Sequence, residues 1–354
     1  MNKTIRAIRM SSQQLSGPLF DDSKDVVSYM GAIQAQDYPM SKWAVGIRLK
    51  SGSTIQSVEK ALEMGEILRS HVMRPTWHLV SAEDIRWMLK LSERHIKASA
   101  RTRDKALEIT ESLYAHTNRL IEKMLEGNRS LTRTEIALEL AGAGVLADTS
   151  RMTHFMMRAE AEGIICSGVD KGNKSTYALL EERAAPAKEL HREEALATLA
   201  GKYFRSHSPA SLYDFAWWSG LSVVEARQAT RLIEHLLITD HWGEHTLFIH
   251  QSCKEVYADE VLHLLPSYDE YIISYKDRSA VLDAPHIPKA YSAQGVFFPL
   301  VLHKGALVGR WNKTIRKKGL IVEPAFFDKH YIINEEIFNA AANRYKTFVS
   351  SHVS

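Results

Sequence analysis

Two glutamines, Gln34 and Gln36, flank a single alanine in the stretch GAIQAQDYPMSKW, where an apolar helical run stops and Pro39 follows. A carboxamide neither takes up nor releases a proton at neutral pH, so the pair cannot serve as general acid or base. Each amide can accept a hydrogen bond from a water molecule and aim its carbonyl dipole at developing positive charge. The residue before a proline is pushed towards extended backbone, so Tyr38 should be extended. If the extended segment runs from Gln34 to Tyr38, alternation places Gln34 and Gln36 on one face. Asp37 then points the other way, as a structural acceptor. The alternative is that both amides satisfy backbone groups at a helix C-terminus.

Other side chains suit contact with a polyanion. Net charge is only +3, but its distribution is uneven. From Ala284 to Val322 the basic residues are Lys289, Lys304, Arg310, Lys313, Arg316, Lys317 and Lys318, with no acid among them; Ile67 to Ala82 holds Arg69, His71, Arg74 and His78, again without an acid. Such segregation fits binding along one face, although RWNKTIRKKG could equally be a solvated turn. On an extended MRPTWHLV, Arg74, Thr76 and His78 share one face, free for phosphates or a base, and Pro75, Trp77 and Leu79 share the other. A strand with a merely solvated polar face fits as well. In SRMTHFMMRAEAEG, Met152, Phe155, Met156 and Ala159 form an inward helical stripe, and Arg151, His154 and Arg158 form an outward basic one.

These residues need elements to hold them. A helix is expected in KDVVSYMGAI, then in SKWAVGIRLK and in STIQSVEKALEMG, which Gly65 closes. EILRSHVMRPTWHLV is β-rich, and Ser81-x-x-Asp84 opens another helix. The same order recurs. A helix covers about 115–127, Thr132-x-x-Glu135 is a capping box, Ser150 would cap the next helix, and IICSGVDKGNKSTYALL reads as a hairpin. It recurs once more with REEALATLAGKYFRSH, a helix capped by Ser208 with Pro209 at its first position, a capping box at Ser222-x-x-Glu225, and the hairpin ITDHWGEHTLFIHQ. The predicted fold class is therefore mainly α with β-hairpin wings (α+β): three tandem winged helix-turn-helix units and a C-terminal β-rich domain closed by a helix. The expected boundaries are 1–112 (the first unit with its following helix), 113–186, 187–255 and 256–354.

Several motifs carry little. Gly142-x-Gly144-x-x-Ala147 follows a helix rather than a strand, which argues against a dinucleotide site. His241 and His245 have zinc-like spacing but no matching partner motif. Asp269, Glu270 and Asp277, interleaved with Lys276 and Arg278, suit ion pairs at a domain junction better than acid–base work. Cys166 and Cys253 fit reduced thiols in a cytoplasmic protein. No apolar run is long enough to span a membrane, and the basic start lacks the apolar segment of a secretory signal. Nothing calls for a metal or an organic cofactor.

AIQAQDY, the Trp43-x-x-x-x-Arg48 spacing, MRPTWHLV, SLYDFAWWSGL and LLPSYDEYIISYKDRS, in that order over nearly the whole chain, resemble the AlkZ/YcaQ family of winged-helix DNA glycosylases. The resemblance implies a C-shaped body around a basic channel. It also implies a glutamine–aliphatic–glutamine catalytic motif, matched by Gln34, Ala35 and Gln36, and removal of alkylated purines, in some members with unhooking of crosslinks. Ordinary glycosidases use two carboxylates at an oxocarbenium-like transition state. Two amides could suffice only if the base leaves easily, and a purine alkylated at N7 or N3 is cationic and departs neutral. The expectation is a monofunctional glycosylase, monomeric and cytoplasmic, acting on damaged double-stranded DNA. Gln34 and Gln36 would be catalytic, and Arg48, Arg69, Arg74, Thr76, His78, Arg151, His154, Arg158, Lys313, Arg316, Lys317 and Lys318 would bind DNA. A non-catalytic DNA-binding regulator, or a scaffold using winged helices for protein contacts, remains the alternative.

Overall fold

The computed structural model describes residues 2–50, 52–187, 189–242, 245–256, 261–317 and 319–350. Helix α1 (Asn2–Ser12) precedes α2 (Ser23–Met30), the short strand β1 (Ile33–Gln34), α3 (Tyr38–Gly46), α4 (Ile55–Glu63) and strands β2 (Ile67–His71) and β3 (Trp77–Ser81). The long α5 (Ile85–Ala106) leads to α6 (Glu111–Leu125), β4 (Leu131–Thr132), α7 (Arg133–Gly142), α8 (Thr149–Ala161), β5 (Ile165–Ser167), β6 (Thr176–Leu179) and α9 (Leu180–Arg183). Then come α10 (Arg192–His207), α11 (Leu212–Ser219), α12 (Val223–Leu232), β7 (Leu237–Trp242) and β8 (His245–His250). The chain ends with β9 (Leu262–Leu265), α13 (Glu270–Ile273), α14 (Ile287–Ala290), β10 (Leu300–His303), β11 (Ala306–Arg316), β12 (Gly319–Phe326) and α15 (Glu335–Ser350). The small antiparallel sheets run β1-β3-β2, β4-β6-β5 and β7-β8, and the four-stranded sheet runs β12-β11-β10-β9.

The four-residue signals hold in part: Ser81 does not cap α5, whose N-cap is Asp84, and its hydroxyl donates instead to the Asp84 carboxylate (2.7 Å). Thr132 with Glu135 and Ser222 with Glu225 form complete capping boxes. Other caps move. Asp148, not Ser150, caps α8, accepting from the backbone N–H groups of Ser150 and Arg151. Ser211, not Ser208, caps α11. In both cases the better-placed acceptor leaves the helix start two or three residues from the expected one. The helix expected over SKWAVGIRLK begins earlier and stops at Gly46. There a Cβ would lie 2.3 Å from the Phe348 ring, so only glycine lets α15 pack this closely.

Three apolar clusters form the interior, and they do not follow the chain in order. The first joins α2–α4 to β9–β12 and α15, with Trp43, Trp311, Tyr345 and Phe348 at its centre. The indole N–H groups of Trp43 and Trp311 donate to the carbonyls of Leu264 and Leu265 (both 2.7 Å). The second joins the β2–β3 hairpin to α10–α12 through Leu68, Val80, Tyr203, Phe215 and Trp218. The third, around Phe155, belongs to α6–α8 and β4–β6. Ala32 packs in the second cluster and Ile33 in the first, so the glutamine strand runs along the seam between two cores. No helix of the described residues is long and apolar enough to cross a membrane.

Candidate active site

The seam fixes the glutamine loop from every side. In β1, Gln34 is the register partner of His78, and the N–H of Ala35 donates to the carbonyl of Trp77 (2.7 Å). The carbonyl of Ala35 accepts from Nε and Nη2 of Arg69 (3.1 and 3.0 Å). That guanidinium lies over the rings of Trp77 (4.2 Å) and Tyr38 (4.8 Å). The backbone N–H of Gln34 donates to Oε1 of Glu270 (2.6 Å). Asp37 caps α3 through Met40 N–H (3.3 Å) and accepts from the Ser267 hydroxyl (2.6 Å).

The extended segment is shorter than the proline rule implies. Tyr38 is already the first residue of α3, because Asp37 caps the helix and Pro39 is tolerated in its first turn. The chain bends after Ala35, so the two amides do not lie side by side. Gln34 is 3% exposed, and its Oε1 accepts the backbone N–H of Gln36 (2.7 Å). Gln36 is exposed. It opens onto a cavity of about 630 Å³ shared with Asp37, Tyr38, Tyr268 and Phe297. One amide braces the loop and the other is presented to solvent. Asp37 has the structural role expected of it.

Glu270, expected only to make ion pairs at a domain junction, lies directly under the glutamine strand. It is fully buried. Besides Gln34 N–H it accepts from Trp218 Nε1 (3.1 Å) and the Ser274 hydroxyl. Burial alone would push its carboxyl up, but His207, Ser274 and the Gln34 N–H hold it down at about 2. The loop therefore rests on a buried anion. One residue earlier, Asp269 takes both Nη atoms of Arg48 (2.9 and 2.8 Å). Arg48 also donates to the Ala44 carbonyl and to Gln13 Oε1. The expected ion pairing of this acidic stretch at a junction holds for Asp269, but Glu270 serves the glutamines themselves.

The other candidate residues divide by exposure. Arg48 is fully buried, so it offers no charge to a phosphate; it clasps the first and last parts of the chain. Arg74, Thr76 and His78 do not share a strand face. The chain turns over 72–76, with Met73 in the left-handed region, and the N–H of Arg74 bonds to the carbonyl of Val72. Arg74 is half-buried, with its Nε and Nη2 lacking hydrogen-bond partners, as does Thr76 Oγ1. His78 is fully buried; its Nδ1–H donates to the Thr76 carbonyl (2.9 Å), and Nε2 has no partner.

On α8 the polar stripe exists but is not a free basic surface. Arg151 approaches Asp148 (3.7 Å), and His154 bonds Asp104 of α5 (2.6 Å). Arg158 bonds Glu162 (2.6 Å) and Glu111 of α6. Acids on neighbouring helices, invisible from the helix's own periodicity, neutralise it. By contrast, β11 and β12 form a projecting hairpin whose outer residues from Asn312 to Lys317 are all exposed. Lys313 reaches the Tyr345 hydroxyl (2.8 Å), Arg316 and Lys317 stand at the tip, and Ile315 is 87% exposed. Lys318 lies outside the described residues, as do Gly243 and Glu244 between His241 and His245. Among the described residues no group of three His, Cys, Asp or Glu is placed to hold a metal ion.

Burial of histidines gives the fold an acid limit. Burial, with Arg74 adding to it, pushes His78 down to about 3; burial likewise pushes His263 to about 3. Such a histidine binds its proton only on unfolding. Its contribution is complete above the unfolded value near 6.5 and declines as pH falls towards 3. The expected loss for the two together is on the order of 2 kcal/mol per pH unit below about 6.5. Urea midpoints at pH 7.5, 6 and 5 check this, and His78→Gln should make the slope shallower.

The family described as DNA glycosylase AlkZ-like matches residues 27–348. An interstrand DNA cross-link repair glycosylase of Streptomyces sahachiroi is 23% identical over 345 residues, covering 91% of this chain and 90% of that protein. The solved structure of Streptomyces sahachiroi DNA glycosylase AlkZ superposes with a TM-score of 0.80 at 20% identity, over 98% of this chain and 97% of that one, which shows a shared fold. The match to the family over most of its length makes this chain a member of the AlkZ-like DNA glycosylases.

Proposed function

We propose that this protein hydrolyses the N-glycosidic bond of cationic alkylated purines in duplex DNA, with Gln36 holding the attacking water. The observation that carries this is the asymmetry of the loop. The backbone N–H groups of Gln34, Ala35 and Gln36 and the carbonyl of Ala35 are occupied, Gln34 spends its side-chain carbonyl on the Gln36 N–H, and of the two amides it is Gln36 that is exposed beside an open cavity. Its carbonyl accepts a hydrogen bond from water and faces the positive charge that develops on the sugar. The C1′–N bond breaks, water oxygen bonds to C1′, a proton passes to solvent, and the purine leaves neutral. No group is required to protonate it, because alkylation has already placed a charge on the ring. The same chemistry would unhook a crosslink joined through purine N7, in line with the repair role named for the relative.

The three helix–hairpin blocks act in this reading as winged-helix units, and the protein works as a cytoplasmic monomer that contacts duplex backbone more than base edges. The β11–β12 tip supplies phosphate contacts. Arg316→Ala with Lys317→Ala should lower the slope of log K against log salt for duplex binding by about 2, one counterion per lost contact. Arg158→Ala should leave that slope unchanged, since its charge is spent on Glu111 and Glu162. Fluorescence anisotropy between 50 and 200 mM salt measures both. The function is tested by incubating the protein with duplex containing N7-methylguanine. Free base together with an abasic site supports hydrolysis, and tight binding without release supports the non-catalytic alternative.

A further inference from the structure

Three of the four side chains of Ser267–Glu270 are anchored, two on the glutamine loop and one on Arg48. Ser267 donates to Asp37, Asp269 pairs with Arg48, and Glu270 accepts from Gln34 N–H. Tyr268 is the exception. It sits in the left-handed region (φ 57°), where a bulky residue without glycine's freedom is strained and persists only when its surroundings enforce it. Tyr268 packs at the edge of the first apolar cluster and lines the same cavity as Gln36.

The ring also has company. Phe297 lies 6.0 Å from Tyr268, tilted at 50°, and is stacked on Tyr291 at 4.8 Å. Arg278 lies against Tyr291 and Phe297 (5.0 and 5.3 Å), which satisfies those faces. Among the described residues no arginine or lysine lies over the ring of Tyr268. Asp37 is close enough that, after burial, its charge is the next cause raising the Tyr268 hydroxyl. An aromatic face beside a carboxylate, without a resident cation, attracts a positively charged planar ligand.

We propose that Tyr268, backed by Phe297, is the specificity-determining wall of the site: it receives the cationic alkylpurine ring and holds the glycosidic bond next to Gln36. This deepens the glycosylase reading and rests on it. The selectivity then has two sources. Charge on the base lowers the barrier to departure, and the same charge favours residence against Tyr268.

The test separates this from the function itself by measuring binding where no turnover intervenes. In Gln36→Ala protein, the affinity for duplex carrying N7-methylguanine is compared with that for the undamaged duplex by anisotropy. A preference for the lesion is expected, lost by roughly 3–30-fold in Tyr268→Leu and in Tyr268→Gly and retained in the conservative Tyr268→Phe. Affinity for undamaged duplex should not change in any of them. The glycine variant keeps the left-handed backbone without strain, so an unchanged unfolding midpoint there shows that the fold is intact. Equal preference in the leucine and phenylalanine variants would overturn the proposal, as would a parallel loss of affinity for undamaged duplex. If wild-type protein released no base while Tyr268 still set the preference, the hydrolytic reading would fail and the aromatic wall would stand.

Discussion

Gln36→Ala should lower the single-turnover rate of N7-methylguanine release by about 10²–10³-fold, the usual cost of removing one preorganised polar group from a transition state. Duplex affinity and unfolding midpoint should stay as in the wild type, because the Gln36 side chain is exposed and no contact of the interior depends on it. Gln34→Ala should also lose rate, by a different route. Gln34 is buried, and its carbonyl holds the Gln36 N–H. Removing it frees the bend that presents Gln36 and leaves a backbone donor without its partner, so the midpoint should fall as well, by about 1–3 kcal/mol in stability. A loss of rate without loss of stability at position 36, and of both at position 34, is the signature of one acting amide and one bracing amide. Two equivalent amides would give matching profiles.

Arg48→Ala is expected to cost about 3–5 kcal/mol of stability, because Asp269 would remain buried as an unpaired carboxylate. Both partners of this pair are fully buried, and domains of this kind have only about 5–15 kcal/mol in total. The variant should therefore show a large drop in urea midpoint, and its glycosylase activity should decay on warming well before the wild type's. The exposed Lys50–Asp21 pair (2.7 Å) is the contrast. Lys50→Ala should change stability by no more than about 0.5 kcal/mol. If Arg48 acted on phosphates instead, Arg48→Ala would weaken duplex binding and lower its salt slope with little change in midpoint.

What could be read from the sequence was whatever a few neighbouring residues decide. The capping boxes at Thr132 and Ser222, the hairpins at 165–179 and 237–250, and the amphipathic spacing of α8 depend on residues within one or two turns. What could not be read depends on partners far along the chain. Gln34 bonds Glu270 across 236 positions, and Asp37 bonds Ser267 across 230. They hold the loop in which Asp37, capping α3, ends the extended segment before Tyr38. The apolar stripe of α8 has the expected period, but Arg158 is buried rather than outward, and Asp104 and Glu111 on other helices neutralise the basic residues. Tyr268 gave no signal at all, since a left-handed tyrosine is made by the residues that clamp its neighbours.

In the proposed reaction, damage has already weakened the bond before Gln36 acts on it. The most direct test compares the wild-type protein on two otherwise identical duplexes, one carrying N7-methylguanine and the other uracil, under single-turnover conditions. The methylated base, cationic before it leaves, should be released with an abasic site remaining, and uracil, an uncharged base, should stay attached over the same period. Release of uracil at a comparable rate would mean that the protein supplies the leaving-group activation itself, and that two neutral amides are not its catalytic apparatus.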